Sequence, residues 1–336
     1  MLEPCPPNPL REIEVNVSAL LTISDLHTCF KTPAGIVPAV NGVSISIERG
    51  TTVALVGESG SGKSMTALSI MRLVPPPGFI RSGTISLEDR DILTISDEEM
   101  RAIRGSRISM VFQEPMTALN PVLRIGDQVM EPLTLHRRMP RSEAADQAVE
   151  LLRRVGIPGA AERMRDYPHQ LSGGMRQRVM IAMALACNPA LLIADEPTTA
   201  LDVTIQAQIL ELLDSLRQTT EMGILLITHD LGIVAERSDR TYVMYAGRIV
   251  ESAASQELLR NPRHPYTRAL LAALPDNAEP GKPLATIPGH VPSLSADLPG
   301  CGFCERCPVA LPDCSLALPP LREIEPGHDV RCWNRL

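Results

Sequence analysis

Residues 57 to 64 read Gly57-Glu58-Ser59-Gly60-Ser61-Gly62-Lys63-Ser64, which is the spacing G-x-x-x-x-G-K-S. Glycines at these positions let the backbone turn tightly enough to aim several N–H groups at one anion. In this pattern Lys63 reaches the β- and γ-phosphates of a nucleotide, and the Ser64 hydroxyl ligates Mg²⁺. We therefore predict that residues 57–64, called the phosphate loop below, bind a nucleoside triphosphate. The alternative is a chance glycine-rich turn.

The residues on either side of this loop support the prediction. Residues 51–56 are an apolar, β-branched run typical of a buried parallel strand. Residues 64–73 have a helical pattern, so the positive end of that helix would face the phosphates. Strand and helix patterns alternate again from residue 173 to residue 252. This alternation predicts an α/β fold with a mostly parallel sheet.

Composition divides the chain into three parts. Residues 1–19 form a proline-rich leader, residues 20–274 carry the regular patterns, and residues 275–336 are rich in proline, glycine and polar residues. Within the middle part, two alternating runs near its start predict an antiparallel β-subdomain. Two amphipathic helices with no strand between them predict a helical insert over about residues 114–182. The last part is predicted to be a small, separate, loop-dominated appendage.

Charge and hydropathy exclude several classes of protein. The 336 residues have a formal net charge of −7, which lacks the basic footprint of a nucleic-acid-binding protein. No run of about 18 uninterrupted apolar residues occurs, so we predict no transmembrane helix. The N-terminus lacks the basic and then apolar pattern of a secretory signal. These features predict a cytosolic protein that reaches a membrane only through a partner.

Two acids end an apolar run at Asp195 and Glu196. In a phosphate-loop fold, the strand beside the loop places its first acid near Mg²⁺. Asp195 is therefore the candidate Mg²⁺ ligand, directly or through water. Glu196 is the candidate base that polarises the attacking water. A solvated acidic turn after a core strand is the alternative.

A second motif carries a family resemblance. Residues 171–178 read Leu171-Ser172-Gly173-Gly174-Met175-Arg176-Gln177-Arg178, which resembles the signature motif of ABC-transporter ATPases. That family has LSGGQ, and Met175 here replaces the glutamine. The motif opens a helix, so the backbone N–H groups and the Ser172 hydroxyl can bind a phosphate. The departure at Met175 leaves Ser172, Gly173 and Gly174 in place.

The resemblance covers about residues 20–272 and implies roles for four further residues. Gln113 resembles the Q-loop glutamine, which contacts Mg²⁺ between the sheet and the helical insert. Asp202 resembles the D-loop acid, and His229 resembles the switch histidine that contacts the γ-phosphate. Phe30 is the best match for the aromatic residue that stacks on adenine. A core position for Phe30 and a capping role for His229 are the alternatives.

The resemblance also implies a mechanism that needs two cassettes. Each ATP is clamped between the phosphate loop of one cassette and the signature helix of another, and hydrolysis with Glu196 as general base releases the clamp. A chain with one cassette must therefore pair with a second ATPase chain. The alternatives are a soluble ABC ATPase acting on DNA or ribosomes, which the acidic charge and the lack of a coiled-coil insertion disfavour, and a regulatory ATP-binding subunit.

Three stretches, residues 113–121, 167–170 and 261–267, resemble ATPase subunits of the oligopeptide/dipeptide permease family. This finer resemblance implies import of di- or oligopeptides, or of related solutes such as nickel or glutathione. It implies a heterodimer of two ATPase chains bound to two transmembrane permease subunits, and an extracytoplasmic solute-binding protein that acts indirectly. The expected location is peripheral, on the cytoplasmic face of the cell (inner) membrane.

Five of the eight cysteines follow Pro299. In a reducing compartment such clustering indicates a metal site more than a set of disulfides. The family's tail pattern is matched by Cys301, Cys307, Cys314 and Cys332, which by resemblance implies a [4Fe–4S] cluster. Cys304 is extra to that pattern and completes a C-x-x-C-x-x-C-P run, so it is an alternate ligand. Zinc, or simple thiols or disulfides, are the alternatives, and His328 is a further candidate ligand.

Overall fold

The computed structural model describes residues 19–33, 35–114, 118–198, 203–274, 286–292 and 299–334. The first sheet is antiparallel, with the strand order β2-β1-β4-β5. It confirms the predicted N-terminal β-subdomain. Its strands are β1 (Ala19–Thr32), β2 (Gly35–Glu48), β4 (Gly78–Leu87) and β5 (Arg90–Asp91).

The second sheet has eight strands in the order β11-β12-β10-β9-β3-β8-β7-β6. The pairs from β9 through β3, β8 and β7 to β6 are parallel, and the other pairs are antiparallel. Every residue of β3, β7 and β8 is buried, which is why these strands read as continuous apolar runs. The remaining bounds are β3 (Thr52–Val56), β6 (Ile108–Val111), β7 (Leu191–Asp195), β8 (Gly223–Thr228), β9 (Arg240–Tyr245), β10 (Arg248–Ala254), β11 (Arg322–Glu325) and β12 (His328–Val330).

From residue 173 to residue 245, the helices alternate with parallel strands, as predicted. The helix Asp97–Ile103 shows how the sequence sets a boundary: the Ser96 hydroxyl accepts the Glu99 N–H, and the Glu99 carboxylate accepts the Ser96 N–H in return. The helices are α1 (Lys63–Ile70), α2 (Asp97–Ile103), α3 (Ile125–His136), α4 (Arg141–Arg154), α5 (Ala160–Arg163), α6 (Gly173–Leu185), α7 (Val203–Thr220), α8 (Leu231–Arg237), α9 (Ser255–Arg260), α10 (Pro265–Ala272) and α11 (Asp313–Leu316).

Helices α3, α4 and α5 follow one another without an intervening strand and share a hydrophobic core with α6. This is the helical insert that the two amphipathic patterns predicted. Because α6 begins with the signature motif, the insert is packed directly on the segment that presents Ser172. Among the described helices, none is both long enough and apolar enough to cross a membrane.

The C-terminal segment is not separate from the cassette, contrary to the sequence-based expectation. Strand β12 pairs with β10, with Val330 opposite Glu251, so the segment extends the main sheet. Phe303 is 1% exposed and packs against Tyr245 of β9 and Tyr266 of α10. The sequence did not reveal this because β11 and β12 are short and lack an alternating pattern. The segment and the cassette therefore share one apolar cluster.

Candidate nucleotide site and thiol cavity

The phosphate loop connects β3 to α1, and its glycines fit the backbone closely. A Cβ atom on Gly57, whose φ is +155°, would lie 2.2 Å from the Met244 carbonyl oxygen. A Cβ on Gly62, whose φ is +107°, would lie 2.5 Å from the Ala39 carbonyl oxygen. Only glycine fits at these two positions. The sequence pattern and the tertiary packing thus demand the same residues.

Lys63 begins α1 and is buried at the bottom of the loop. Its Nζ donates hydrogen bonds to the carbonyl oxygens of Gly57, at 2.8 Å, and Glu58, at 3.0 Å. Burial lowers the pKa of Lys63, against the nearby carboxylates of Glu196, Asp195 and Glu58, which raise it. The ammonium is therefore placed among acids and loop carbonyls, where a polyphosphate would find a pre-positioned cation.

Ser64 and Asp195 form the second part of the site. The Ser64 hydroxyl donates to Asp195 Oδ1 at 3.2 Å across the gap between α1 and the end of β7. Burial raises the pKa of Asp195, and Glu196 raises it further, while Ser64 and Lys63 oppose the shift. A hydroxyl and a buried carboxylate side by side are oxygen donors of the kind that Mg²⁺ takes beside a nucleotide. These residues fit the predicted Mg²⁺ site.

Three side chains from the ends of adjacent parallel strands meet beside this pair. Gln113 follows β6, Glu196 follows β7 and His229 follows β8. Gln113 Nε2 donates to Glu196 Oε2 at 2.9 Å, and His229 Nδ1 lies 3.3 Å from Glu196 Oε1. The Glu196 side chain is 15% exposed and the His229 side chain is 64% exposed. The Glu196 carboxylate is thus held from two sides at the edge of an open cleft.

That cleft has a volume of about 270 Å³ and joins the groups above. It is open on one side and lined by the loop, by Gln113 and by Glu196. In the described part of the chain, no residue of the signature motif lines it. The lining residues are Ala39, Ser59, Gly60, Ser61, Gly62, Lys63, Ser64, Met65, Gln113 and Glu196.

The signature motif lies at the start of α6, as predicted. The Ser172 hydroxyl accepts the Met175 N–H at 3.3 Å, and Ser172 and Gly173 are exposed. Gly174 allows close packing, since a Cβ there would lie 3.0 Å from Ile205 Cγ2. Gln177 is buried and donates to the Pro197 carbonyl at 2.6 Å, so it belongs to the core.

Two further residues were predicted for the site, Phe30 and Asp202. Phe30 is half-buried in β1, opposite Val37 of β2 and Gly78 of β4, and it does not line the cleft formed by the described residues. Its predicted contact with adenine stays a prediction. Asp202 lies outside the described residues.

The five tail cysteines line one small apolar cavity of about 10 Å³. All five are free thiols. Burial, with a smaller contribution from the neighbouring thiols, raises the pKa of Cys301 to about 11. With this pKa, Cys301 is a neutral thiol near pH 7 and would need a bound cation to act as a thiolate ligand. The lining residues are His264, Pro265, Cys301, Phe303, Cys304, Cys307, Val309, Cys314, Pro319, Cys332, Trp333 and Asn334.

Among the described residues, the tail thiols are not a group whose ligand atoms already lie close enough together to hold one metal ion. Tetrahedral zinc with Zn–S bonds of about 2.3 Å holds its sulfur atoms about 3.8 Å apart. Among the described residues, no three tail thiols lie within 4.8 Å of one another, and the group that does is Glu257, Glu325 and His328. In that group Glu325 is paired with Arg263, and His328 Nε2 lies 2.8 Å from Glu251 Oε1. His328 thus faces a buried carboxylate and does not line the thiol cavity.

Two residues that the sequence analysis did not name touch the phosphate loop. The Tyr266 hydroxyl accepts the Glu58 N–H at 2.8 Å. The Arg306 guanidinium donates to both oxygens of the Glu58 carboxylate, at 3.1 and 3.2 Å. Arg306 lies between Cys304 and Cys307 in the tail pattern, and this position is the sequence feature that could have pointed to it. The spacing of the cysteines predicts their role but assigns none to the arginine.

Two family models match this chain. A family described as ABC transporter matches residues 40–199, and one described as oligopeptide/dipeptide transporter, C-terminal region, matches residues 250–314. The Brucella melitensis protein BMEII0863, whose peptide-import name is provisional, is 56% identical over 94% of this chain and 98% of its own. The oligopeptide transport ATP-binding protein AppD of Bacillus subtilis is 52% identical over 94% of this chain and 97% of its own.

Solved structures agree with the sequence relatives. The dimeric structure of MJ0796, a bacterial ABC transporter cassette, matches with a TM-score of 0.64 and 29% identity, over 70% of this chain and 99% of that one. The structure of cbiO1 from Clostridium perfringens, part of the ABC transporter complex cbiONQ, matches with a TM-score of 0.61 and 27% identity, over 73% and 92%. The predicted cassette fold is confirmed. The chain belongs to the ATP-binding proteins of ABC transporters, in the oligopeptide/dipeptide transporter family.

Proposed function

We propose that this chain is the ATP-hydrolysing subunit of an importer for di- or oligopeptides or related solutes. The observation that carries the proposal is the Glu196 carboxylate, held by Gln113 and His229 beside the phosphate loop. The names of the relatives AppD, DppD and OppD, which refer to oligopeptide or dipeptide transport, support the choice of solute. They do not favour the alternative of a soluble ATPase acting on DNA or ribosomes.

In this proposal the phosphate loop binds the β- and γ-phosphates of ATP. Lys63 exchanges its bonds to the Gly57 and Glu58 carbonyls for phosphate oxygens. Ser64, Asp195 and Gln113 hold Mg²⁺, which neutralises phosphate charge when it is bound. Phe30 is the proposed contact for adenine, and Asp202 is the proposed D-loop acid facing the partner chain.

Glu196 is the proposed general base. Its carboxylate accepts a proton from the attacking water, while Gln113 and His229 fix its orientation. His229 is also proposed to contact the γ-phosphate, and its exposed side chain faces the open side of the site. Positioning and charge neutralisation supply most of the barrier reduction in such a reaction.

The open side of the cleft supports a paired assembly. Ser172, Gly173 and Gly174 are proposed to contact the ATP of a partner chain, because the described signature residues do not line the cleft of their own chain. We propose a heterodimer of two ATPase chains. The exposed apolar side chains of Val122, Leu123 and Leu135 in the helical insert fit contacts with two transmembrane permease subunits. The assembly would lie on the cytoplasmic face of the inner membrane and serve an extracytoplasmic solute-binding protein indirectly.

A [4Fe–4S] cluster bound by Cys301, Cys307, Cys314 and Cys332 is proposed for the tail, with Cys304 as alternate ligand. The supporting observation is that all five tail thiols, none of them in a disulfide, line one small apolar cavity. Metal analysis and visible absorbance of anaerobically purified protein test it. Iron and sulfide with a brown colour are expected, whereas stoichiometric zinc in a colourless sample would favour the rival metal.

The Glu196→Gln variant tests the proposed base. We expect it to bind ATP and to lower turnover by at least about 100-fold, because the carboxylate that accepts the proton is lost. Turnover and retained nucleotide are measured in the complex purified with its membrane subunits. The matched control is Glu236→Gln, an exposed acid on α8, which should keep the wild-type rate. Wild-type turnover in Glu196→Gln would contradict the assignment.

A further inference from the structure

The Arg306 side chain connects the tail to the phosphate loop. It is 6% exposed, and its Nη1 donates to both oxygens of Glu58 and to the Tyr245 hydroxyl, at 3.1 to 3.2 Å. On the tail side, Nε donates to the Pro288 carbonyl at 2.8 Å and Nη2 to the Ile287 carbonyl at 3.3 Å. A guanidinium bonded through all three nitrogens has one orientation, so it can transmit position as well as charge.

Two aromatic rings also pack against the Arg306 guanidinium. The guanidinium carbon lies 5.8 Å from the Tyr245 ring centroid and 5.9 Å from that of Phe303. These two rings meet edge to face at 5.3 Å, and Tyr266 packs against both. Arg306 is thus part of a buried aromatic cluster whose members come from the tail, β9 and α10.

Glu58 is the loop residue that receives these contacts. Its carboxylate accepts from Arg306, its N–H donates to Tyr266, and its carbonyl accepts from Lys63 Nζ at 3.0 Å. Two of these three anchors come from residues far downstream, and the third is the lysine proposed to bind phosphate. A displacement of Arg306 therefore moves the peptide that positions Lys63.

The other end of this connection is the thiol cavity. Arg306 ends the short turn Cys304–Arg306, where the Cys304 N–H donates to the Cys301 carbonyl and the Cys307 N–H donates to the Cys304 carbonyl. All three cysteines line the cavity. A change in what the thiols hold must therefore act on the backbone that carries Arg306.

We propose that Arg306 is a positioning residue of the phosphate loop and that it couples the thiol cavity to ATP binding. The inference rests on the proposed ATP site and goes beyond it by naming what sets the loop's geometry. Coupling between two sites is reciprocal in binding free energy. The state of the thiols should therefore change the affinity for ATP, and ATP should change the reactivity of the thiols.

A double-mutant cycle tests the positioning role. MgATP affinity is measured by calorimetry for the full chain and for Arg306→Gln, Glu58→Gln and the double variant. Each single change should raise Kd about tenfold. The double variant should be no weaker than either single variant, because both remove the same contact. In the assembled complex, KM for ATP should rise while kcat stays within about twofold, since Glu196 is untouched.

The matched control is Arg240→Gln, which loosens the tail elsewhere. Arg240 of β9 lies 3.4 Å from Asp329 of β12 and does not touch the loop, so its replacement should leave Kd unchanged. Arg306→Lys keeps the positive charge but lacks the planar, multiply donating guanidinium. We expect an intermediate Kd for this variant, which keeps the test usable even if the glutamine variant fails to fold. Multiplicative effects in the double variant, or an Arg306→Gln or Arg306→Lys variant with wild-type Kd, would overturn the inference.

Thiol chemistry tests the coupling. Alkylation of the purified protein with N-ethylmaleimide, followed by mass spectrometry to locate the modified tail cysteines, should raise the Kd for MgATP in wild type and not in Arg306→Gln. An unchanged Kd after modification of Cys304 or Cys307 would refute the coupling. A wild-type chain that does not bind MgATP would contradict the proposed function as well. If wild type binds MgATP but neither the double-mutant cycle nor the alkylation changes Kd, only this inference is contradicted.

Discussion

Asp195 shows how the candidate site trades stability for function. Burial raises the pKa of this carboxyl, so the folded protein holds its proton more tightly than the unfolded chain does. The stability that this group contributes is present at low pH and is lost as pH rises through the raised folded pKa. At any pH above that folded pKa, the charged Asp195 therefore destabilises the protein when no cation is bound.

Replacing Asp195 by asparagine should separate the two effects. The neutral amide removes the buried charge, so we expect a higher unfolding temperature for the nucleotide-free protein at pH 7. Mg²⁺-dependent ATP hydrolysis should fall about 100-fold, because a proposed metal ligand is lost. Calorimetry and phosphate release measure the two quantities. Asp146→Asn, on the exposed face of α4, is the control for the change in net charge. A destabilised Asp195→Asn protein would contradict the argument.

Glu251 illustrates a buried acid with the opposite behaviour. Burial raises the pKa of Glu251. Hydrogen bonds from the His328 side chain and from the backbone N–H groups of Arg263 and His264 outweigh this effect and leave the pKa below its ordinary value of 4.5. This carboxylate therefore contributes stability above about pH 4.5, and that stability is lost as pH falls through the folded pKa.

The Glu251→Gln variant should accordingly be less stable than wild type by about 2 kcal/mol at pH 7. The difference should narrow as pH is lowered below the ordinary pKa of 4.5, since wild type then loses its charged carboxylate. Urea unfolding at several pH values measures it. The exposed Glu236→Gln change should have no such pH dependence. A difference that grew on acidification would show that the sign is wrong.

At the scale of residues, the sequence predicts site residues that belong to one local motif. It does not predict contacts between residues that are far apart in the chain. Lys63 and Ser64 follow from one motif, and Asp195 and Glu196 follow from a strand end. Arg306 and Glu58 are 248 residues apart, and no periodic pattern connects them. Their contact depends on the tail folding back onto β9 and β10, which is a property of the sheet and not of either motif.

At the scale of elements, the effect of a substitution in the phosphate loop depends on which glycine is replaced. Gly57 and Gly60 both have positive φ, so a side chain strains the backbone at either position. A Cβ on Gly57 collides with the Met244 carbonyl oxygen of β9, whereas nothing lies within 4 Å of a Cβ on Gly60. The two positions therefore separate backbone strain from a steric clash with the sheet.

We expect Gly60→Ala to cost about 1 kcal/mol and to retain MgATP binding. Gly57→Ala must displace the loop from β9, so it should abolish saturable binding and lower the unfolding temperature more. Calorimetric titration and thermal unfolding of both variants provide the comparison. Equal effects of the two substitutions would mean that the contact with Met244 does not constrain the loop.

The predicted elements agree best with the structure where burial is complete. The alternation of strands and helices predicted over residues 173–252 is present, and its strand at residues 223–228 is buried at every position. Strands β11 and β12 escaped prediction: β11 is exposed along its whole length, and β12 has three residues. Their pairing is decided by the free edge of β10, which the local sequence of the tail does not encode.

At the scale of the whole molecule, the position of Phe303 decides whether the tail and the cassette unfold together. Its ring lies 5.3 Å from those of Tyr245 and Tyr266, which belong to the cassette. Tyr245 in turn ends β9, the strand beside β3 that leads into the phosphate loop. If this cluster is part of the cassette's core, its loss should lower the stability of the central strands.

Phe303→Ala should therefore destabilise the whole protein by about 3 to 5 kcal/mol, the cost of removing a fully buried aromatic ring. Urea unfolding is expected to remain one transition, and amide hydrogen exchange should speed up in β3 as well as in the tail. The matched control is Phe112→Ala, whose side chain is 38% exposed and should cost less than about 1 kcal/mol. An appendage that folds by itself would behave differently, since its loss would leave exchange in β3 unchanged and give a separate early transition. The shared ring cluster and the β10–β12 pairing favour the single transition, because both join the tail to strands that the cassette cannot fold without.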